Sequence, residues 1–253
     1  MVRFAERTTA SMACSAGQVT ALVGDNGAGK STLIKTVAGI WELSQGEINW
    51  QGKPVRFRSP KDATDAGIAT VCQDLALCDN LDIVQNMLLG HELRRTGLLD
   101  EVTMEQTAKK TLADLKVTSV RNIRQPADSL SGGQRQSIAV AKAVMLDAKL
   151  LIVDEPTATL GVSQTALVFS LIRQLADQGI CVIMISHNLT DVFKVADRIA
   201  ILYLGRLVTV GPASDFDTAT AVHWMTAGAA PDGPDCTTRR PAAGTTAHRP
   251  AAR

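Results

Sequence analysis

Gly24-Asp25-Asn26-Gly27-Ala28-Gly29-Lys30-Ser31-Thr32 stands between a short apolar run, Val19 to Val23, and an apolar-periodic stretch, Leu33 to Ala38. The flanks read as a strand and a helix, the context in which G-x-x-x-x-G-K-[ST] becomes a phosphate cradle rather than a chance string. Gly24, Gly27 and Gly29 can take positive φ and put no Cβ in the way, so successive N–H groups can converge on a phosphate at a helix N-terminus. The ligand this calls for is strongly anionic. A nucleoside triphosphate fits, with Lys30 reaching the β/γ oxygens and the Ser31 hydroxyl placed to ligate Mg²⁺.

The chain of 253 residues is long enough for one large domain carrying a small insertion. Its 26 Lys and Arg against 25 Asp and Glu leave a net charge of +1, which gives no electrostatic case for nucleic acid or a lipid surface. No apolar run approaches the roughly 20 residues of a spanning helix, and the start lacks the order of a secretory signal, so a cytosolic chain is expected. The five cysteines include no C-x-x-C pair, so neither a disulfide framework nor a zinc site is indicated. Cys14, Cys72 and Cys181 lie in or beside apolar runs and read as small core residues.

After the loop, Gly46 to Val55 reads as a hairpin turned at Gln51-Gly52, with Ile48, Trp50 and Val55 for its buried face. Ser59-Pro60 opens a short helix that ends at Gly67, and Ile68 to Cys72 reads as a core strand. Gln73 stands at the carboxyl end of that strand, where a polar residue of an open α/β sheet faces the ligand crevice; a plain loop residue is the alternative. Asp82 caps a helix through Leu89, and Thr103 to Leu115 forms another. The block 74–130 is helical and lacks a strand of the main sheet, so it reads as an inserted helical subdomain, set at about 74–145.

Leu130-Ser131-Gly132-Gly133-Gln134 opens a helix whose inward stripe is Ile138, Ala141 and Met145. Ser131 is a natural N-cap. Two glycines at a helix start invite a phosphate to approach bare N–H groups, or they belong to a plain capped helix; both readings stay open. Leu150 to Val153 fits a strand covered on both faces, ending in Asp154-Glu155. Asp154 at its tip can hold Mg²⁺, and Glu155, pointing the other way along the pleat, can orient or deprotonate the attacking water. Ser163 to about Gln178 forms a helix with Leu167, Leu171 and Leu175 on its core face, followed by the strand Ile180 to Ile185. His187 lies at the end of that strand, where it can reach a γ-phosphate; a hydrogen-bonded core or loop residue is the alternative. Helix 189–196 and strands 199–204 and 207–210 complete a domain of residues 1–226. From Ala227 the tail is rich in Ala, Pro, Gly and Thr and is expected to be disordered.

The order of these motifs resembles the ATP-binding subunit of an ABC transporter over about residues 17–215. The family's phosphate loop matches Gly24–Thr32, its Q-loop glutamine Gln73, its signature Leu130–Gln134, its Asp-Glu strand Leu150–Glu155, and its switch histidine His187. The stretches 73–82 and 154–161 look like those of monosaccharide importers of the fructose or ribose type. The resemblance implies an α/β fold of phosphate-loop NTPase type with a mainly parallel sheet, an N-terminal antiparallel β piece and the helical insertion. It implies ATP and Mg²⁺, with Glu155, His187 and Gln73 catalytic and Ser31, Gln73 and Asp154 at the metal. Nucleotide would contact residues 24–32 and, from a second chain packed head to tail, Ser131, Gly132, Gly133 and Gln134. Gln73 and the helices after it would dock a membrane permease that a sugar-binding protein serves, placing the chain on the inner face of the membrane.

Two departures from the pattern carry expectations. Phe4 is the sole aromatic residue before Lys30 and stands too late for the family's adenine-stacking position, so the chain is expected to begin inside the family's first strand and to bind ATP weakly. Gly161 replaces an aspartate common in the family, as sugar importers tolerate. The other readings are a soluble ABC-type ATPase, a phosphate-loop kinase of small molecules, and a copy of the transporter subunit with little turnover.

Overall fold

The computed structural model describes residues 2–5, 11–145 and 147–229. Strands β1 (Val2–Ala5) and β2 (Ser11–Cys14) come first, then β3 (Val19–Gly24), which runs into the glycine loop, and α1 (Lys30–Val37). The hairpin is β4 (Glu47–Trp50) with β5 (Lys53–Val55), turned at Gln51 and Gly52 with φ of 51° and 82°. Two positive φ values in a two-residue turn match the right-handed twist of the strands it joins. Next come α2 (Pro60–Asp65), β6 (Ile68–Val71), α3 (Ile83–Leu88), the short ladder of β7 (Arg94–Arg95) and β8 (Leu98–Leu99), and α4 (Glu101–Asp114). The remainder is α5 (Gly132–Val144), β9 (Leu150–Asp154), α6 (Val162–Asp177), β10 (Cys181–Ile185), α7 (Leu189–Val195), β11 (Arg198–Tyr203), β12 (Arg206–Pro212) and α8 (Thr218–Ala227).

Six strands form the central sheet in the order β12-β11-β3-β10-β9-β6, parallel throughout except for β12 at one edge. A second, antiparallel sheet has the order β2-β1-β4-β5. The mainly parallel sheet and the N-terminal antiparallel piece are therefore as expected. Between β6 and β9 the described residues add helices and the β7-β8 ladder, and among them no strand of the central sheet.

The central strands are apolar on both faces because both faces are covered. Along β9, Leu151 and Val153 join one core with Ile138 of α5, Ile172 and Leu175 of α6 and Val192 of α7. Leu150 and Ile152 join the other, with Ile34 and Val37 of α1 and Met12, Ile48 and Trp50 of the antiparallel sheet. Each such side chain removed from water is worth about 1.5–3 kcal/mol. The two cores clamp the sheet, so the carboxyl ends of β3, β6, β9 and β10 are held side by side.

Several expectations need correction. Leu167 is 56% exposed, and the core stripe of α6 is Val168, Leu171, Ile172 and Leu175. A chain of i, i+4 steps drifts about 40° per step around a helix, so Leu167 falls off the face that Leu171 and Leu175 share. Cys72 is exposed, because β6 has ended at Val71, whereas Cys14 and Cys181 are buried. Helix α4 starts two residues before Thr103, capped by Asp100, whose side chain accepts the Thr103 N–H. Helix α8 runs through Ala227 to a left-handed Gly228, so order persists past the expected boundary. The rest of the expected disordered tail lies outside the described residues.

Candidate functional site

The glycine loop is fixed by close backbone packing and by hydrogen bonds within the chain. A Cβ on Gly24 would lie 2.5 Å from the Leu202 carbonyl oxygen, so only glycine lets β3 end this close to β11. Gly27 and Gly29 take φ of 82° and 100°, and Gly29 caps α1. The Gly205 N–H donates to the Ala28 carbonyl at 2.9 Å and pins the loop to the turn between β11 and β12. Lys30 is buried, and its Nζ donates to the carbonyls of Gly24 at 2.6 Å and Asp25 at 3.1 Å. Its ammonium thus sits over the loop it is expected to serve.

A cavity of about 400 Å³ opens beside this loop, lined by Asn26, Gly27, Ala28, Gly29, Lys30, Ser31, Thr32, Gln73, Asp154, Glu155, Ala158 and His187. The ends of β6, β9 and β10 thereby deliver Gln73, Asp154, Glu155 and His187 to one place beside the loop that follows β3, as open α/β sheets do at their carboxyl edge. Gly24 and Asp25 are not among the lining residues; their carbonyls accept from Lys30 Nζ. Ala158 is a lining residue without a signal in the sequence.

Asp154 and Glu155 do not point opposite ways, as pleat alternation led us to expect. The strand stops at Asp154, and Glu155 takes a left-handed φ of 48° while its N–H donates to the Ile185 carbonyl at 3.0 Å. That turn brings the second carboxylate back into the same cavity. A left-handed backbone at a bulky residue is a strained state that its surroundings must enforce. The enforcement is visible: Glu155 Oε1 accepts the His187 N–H at 3.1 Å and stands 2.7 Å from His187 Nδ1.

Burial pushes the Asp154 carboxyl above its ordinary range, the Glu155 charge adds to the rise, and Lys30 and Lys35 oppose it. Such a group gains from a cation. The oxygen donors at hand, Asp154, the Ser31 hydroxyl and the Gln73 amide, suit Mg²⁺, which takes one or two carboxylates and completes its shell with phosphate and water. Among the described residues no cluster of three or more His, Cys, Asp or Glu could hold a metal ion by itself.

Ser131–Gln134 lies outside this cavity. Ser131 caps α5, its Oγ accepting the Gln134 N–H at 3.4 Å while Gln134 Oε1 accepts the Ser131 N–H at 2.9 Å. Gln134 Nε2 donates to the Ser119 carbonyl at 2.6 Å. The two glycines have a reason that the sequence concealed. A Cβ on Gly133 would lie 2.9 Å from the Gln164 Cβ, and one on Gly132 would lie 3.0 Å from the Leu160 Cδ2. The start of α5 is thus pressed against the start of α6, with Ser131 and Gly132 still exposed.

The ABC transporter family model matches residues 8–158. The chain is 45% identical over 217 residues to the fructose import ATP-binding protein FrcA of Rhizobium meliloti, covering 83% of this chain and 84% of that protein. It is 43% identical over 198 residues to the xylose/arabinose import ATP-binding protein XylG of Sulfolobus acidocaldarius, covering 78% of each. Among solved structures, an ATP-binding cassette of an ABC transporter superposes with a TM-score of 0.77 at 22% identity, over 90% of this chain and 97% of that one. A dimeric cassette in a post-hydrolysis state bound to ADP and Pi superposes with a TM-score of 0.68 at 19% identity, over 84% of this chain and 99% of that one. With the family model spanning the glycine loop, Gln73, Ser131–Gln134 and the Asp154-Glu155 strand, the chain belongs to the ABC transporter family and is one of its ATPases.

Proposed function

We propose that this chain is the ATP-binding, ATP-hydrolysing subunit of a monosaccharide importer, and that it works as a pair of chains in head-to-tail contact. One observation carries the paired arrangement: the cavity gathers the glycine loop, Gln73, Asp154, Glu155 and His187, while Ser131–Gln134 caps a helix elsewhere with its first residues exposed. A second copy bringing that cap over the first copy's loop gives the bare helix start a phosphate to meet. ATP then joins the two copies, and its hydrolysis releases them.

Within one chain the division of labour follows from position. The N–H groups of residues 27–32 and the Lys30 ammonium hold the β- and γ-phosphates. Ser31, Asp154 and Gln73 would hold Mg²⁺, which would supply positive charge against the charge developing on the phosphates. Glu155 orients and deprotonates the attacking water, and His187 aims Glu155 and reaches the γ-phosphate side. Gln73 joins this cavity to the helical segment of residues 74–145, which docks the permease and carries the closing motion to it. The import ATP-binding relatives support fructose- or pentose-type sugars as the cargo and the inner membrane face as the place of work. Attachment through the permease is part of this reading; among the described residues no helix is long and apolar enough to cross a membrane.

The test is recovery of the full chain from detergent-solubilised membranes, followed by ATP turnover of the complex. A polytopic membrane protein should accompany it, and turnover should rise when a monosaccharide-loaded binding protein is added. Turnover indifferent to every permease and sugar, or a nucleic-acid or ribosomal partner in place of the permease, would overturn the reading.

A further inference from the structure

The loop after Glu155 and the loop carrying His187 are both fastened to one buried carboxylate that the motifs do not include. Asp191, in the first turn of α7, is only 8% exposed. Its Oδ2 accepts hydrogen bonds from Thr157 Oγ1 at 3.0 Å and Asn188 Nδ2 at 3.1 Å, and Lys194 Nζ lies 3.5 Å from Oδ1. Thr157 stands two residues beyond Glu155, and Asn188 is next to His187. Asn188 is itself fixed, its N–H donating to Ser186 Oγ at 3.1 Å and its Oδ1 accepting the Thr190 N–H at 3.1 Å. A buried carboxylate that accepts from two neutral donors makes stronger bonds than neutral groups would, and it leaves those donors no cheap alternative.

We propose that Asp191 is a positioning residue for hydrolysis: by gripping Thr157 and Asn188 on a single oxygen it sets the Glu155 carboxylate against His187. The inference rests on reading this cavity as an ATP-hydrolysing site. It goes beyond that reading, because Asp191 touches neither the cavity nor the expected nucleotide. Its action is through the two loops. Glu155 holds a left-handed backbone that its own strand does not impose, and Thr157 is the point at which the following turn is tied down.

The substitutions separate positioning from packing. Asp191→Ala removes both bonds. Asp191→Asn can keep an oxygen where Oδ2 stands and turn its amide toward Lys194, whose 57% exposed side chain is free to move into water. Thr157→Val breaks one bond and leaves the carboxylate in place. In the full chain, Asp191→Ala should lower kcat about 10–100-fold with KM for ATP within about 3-fold of the parent, as expected for misplaced reacting groups. Thr157→Val should lower kcat in the same sense without unfolding, Asp191→Asn should restore most of the turnover, and Thr157→Val should add little on top of Asp191→Ala. Hydrogen exchange in the nucleotide-free chain should quicken at the Ala158, Leu160 and Asn188 amides in Asp191→Ala. Unchanged exchange at these amides, an unchanged kcat per folded molecule, or an Asn variant as impaired as the Ala variant would overturn the inference. Absence of ATP turnover in the parent chain would instead overturn the functional reading, and the exchange measurement would still decide whether Asp191 ties the loops.

Discussion

A single oxygen of Glu155, Oε1, receives the His187 N–H at 3.1 Å and lies 2.7 Å from His187 Nδ1. The carboxylate is therefore aimed by the loop after β10, and its own strand has already ended. Glu155→Gln should keep ATP binding and lower turnover at least about 100-fold, the low end of what a positioned general base supplies. His187→Ala should leave nucleotide affinity unchanged and reduce kcat as well, because the carboxylate loses its guide. Steady-state hydrolysis beside a direct binding titration checks both; turnover persisting in Glu155→Gln would remove that residue from its role.

Asp154 supplies a prediction in pH. Burial and the Glu155 charge hold its carboxyl above the ordinary range, so the folded chain binds that proton more tightly than the unfolded chain does. The ionised form costs stability at neutral pH, and the cost shrinks as pH falls below the raised value and is gone below the ordinary value of about 3.9. Asp154→Asn should raise the Tm of the nucleotide-free chain at pH 7.5 by about 1–3 °C, a gain that narrows toward pH 4. The same variant should lose Mg²⁺-dependent hydrolysis. A lower Tm at pH 7.5 would contradict the electrostatic assignment.

Gly132 and Gly133 should respond differently to alanine. A Cβ at Gly133 meets the Gln164 Cβ at 2.9 Å, next to the α6 backbone, whereas one at Gly132 meets the far end of Leu160 at 3.0 Å. Gly133→Ala should therefore cost about 1–3 kcal/mol in urea unfolding without nucleotide, and Gly132→Ala less than about 1 kcal/mol. Equal and negligible costs would mean that α5 and α6 can part freely.

Asp82 joins two helices of the segment after β6. Its Oδ1 accepts the Gln85 N–H at 2.7 Å as the cap of α3, and its Oδ2 accepts from Arg124 at 3.1 Å, which also bonds Glu105 of α4. Asp82→Ala should lose about 1–2 kcal/mol, the worth of the cap and of an arginine left with one partner fewer. Thermal unfolding of the variant beside Arg124→Ala and the double variant would show coupling between the two; strict additivity would contradict it.

Much of this was readable in the chain because the decisive signals are local. The glycine loop, the apolar runs of β9 and β10, the Gln51-Gly52 turn and the caps at Ser59, Asp82 and Ser131 each depend on residues a few positions apart. What escaped depends on partners far along the chain. Leu167 has the right spacing for the core and the wrong angle, and Cys72 follows an apolar run that stops one residue short of it. The glycines after Ser131 answer to Gln164 and Leu160, about thirty residues away. The direction of Glu155 is set by a backbone turn held by Ile185 and His187, and Asp191 has no motif to announce it.

In the proposed pair, nucleotide lies between the glycine loop of one copy and Ser131–Gln134 of another. Mixed pairs of a Lys30→Ala chain and a Ser131→Arg chain, both also carrying Glu155→Gln so that ATP survives, test it most directly. In each mixed pair one composite site keeps an intact loop and an intact cap, while the other has lost both. About one ATP should stay trapped per mixed pair, and none in either unmixed variant. No trapped ATP in the mixed pairs would contradict the account, because loop and cap would then have to serve the same chain.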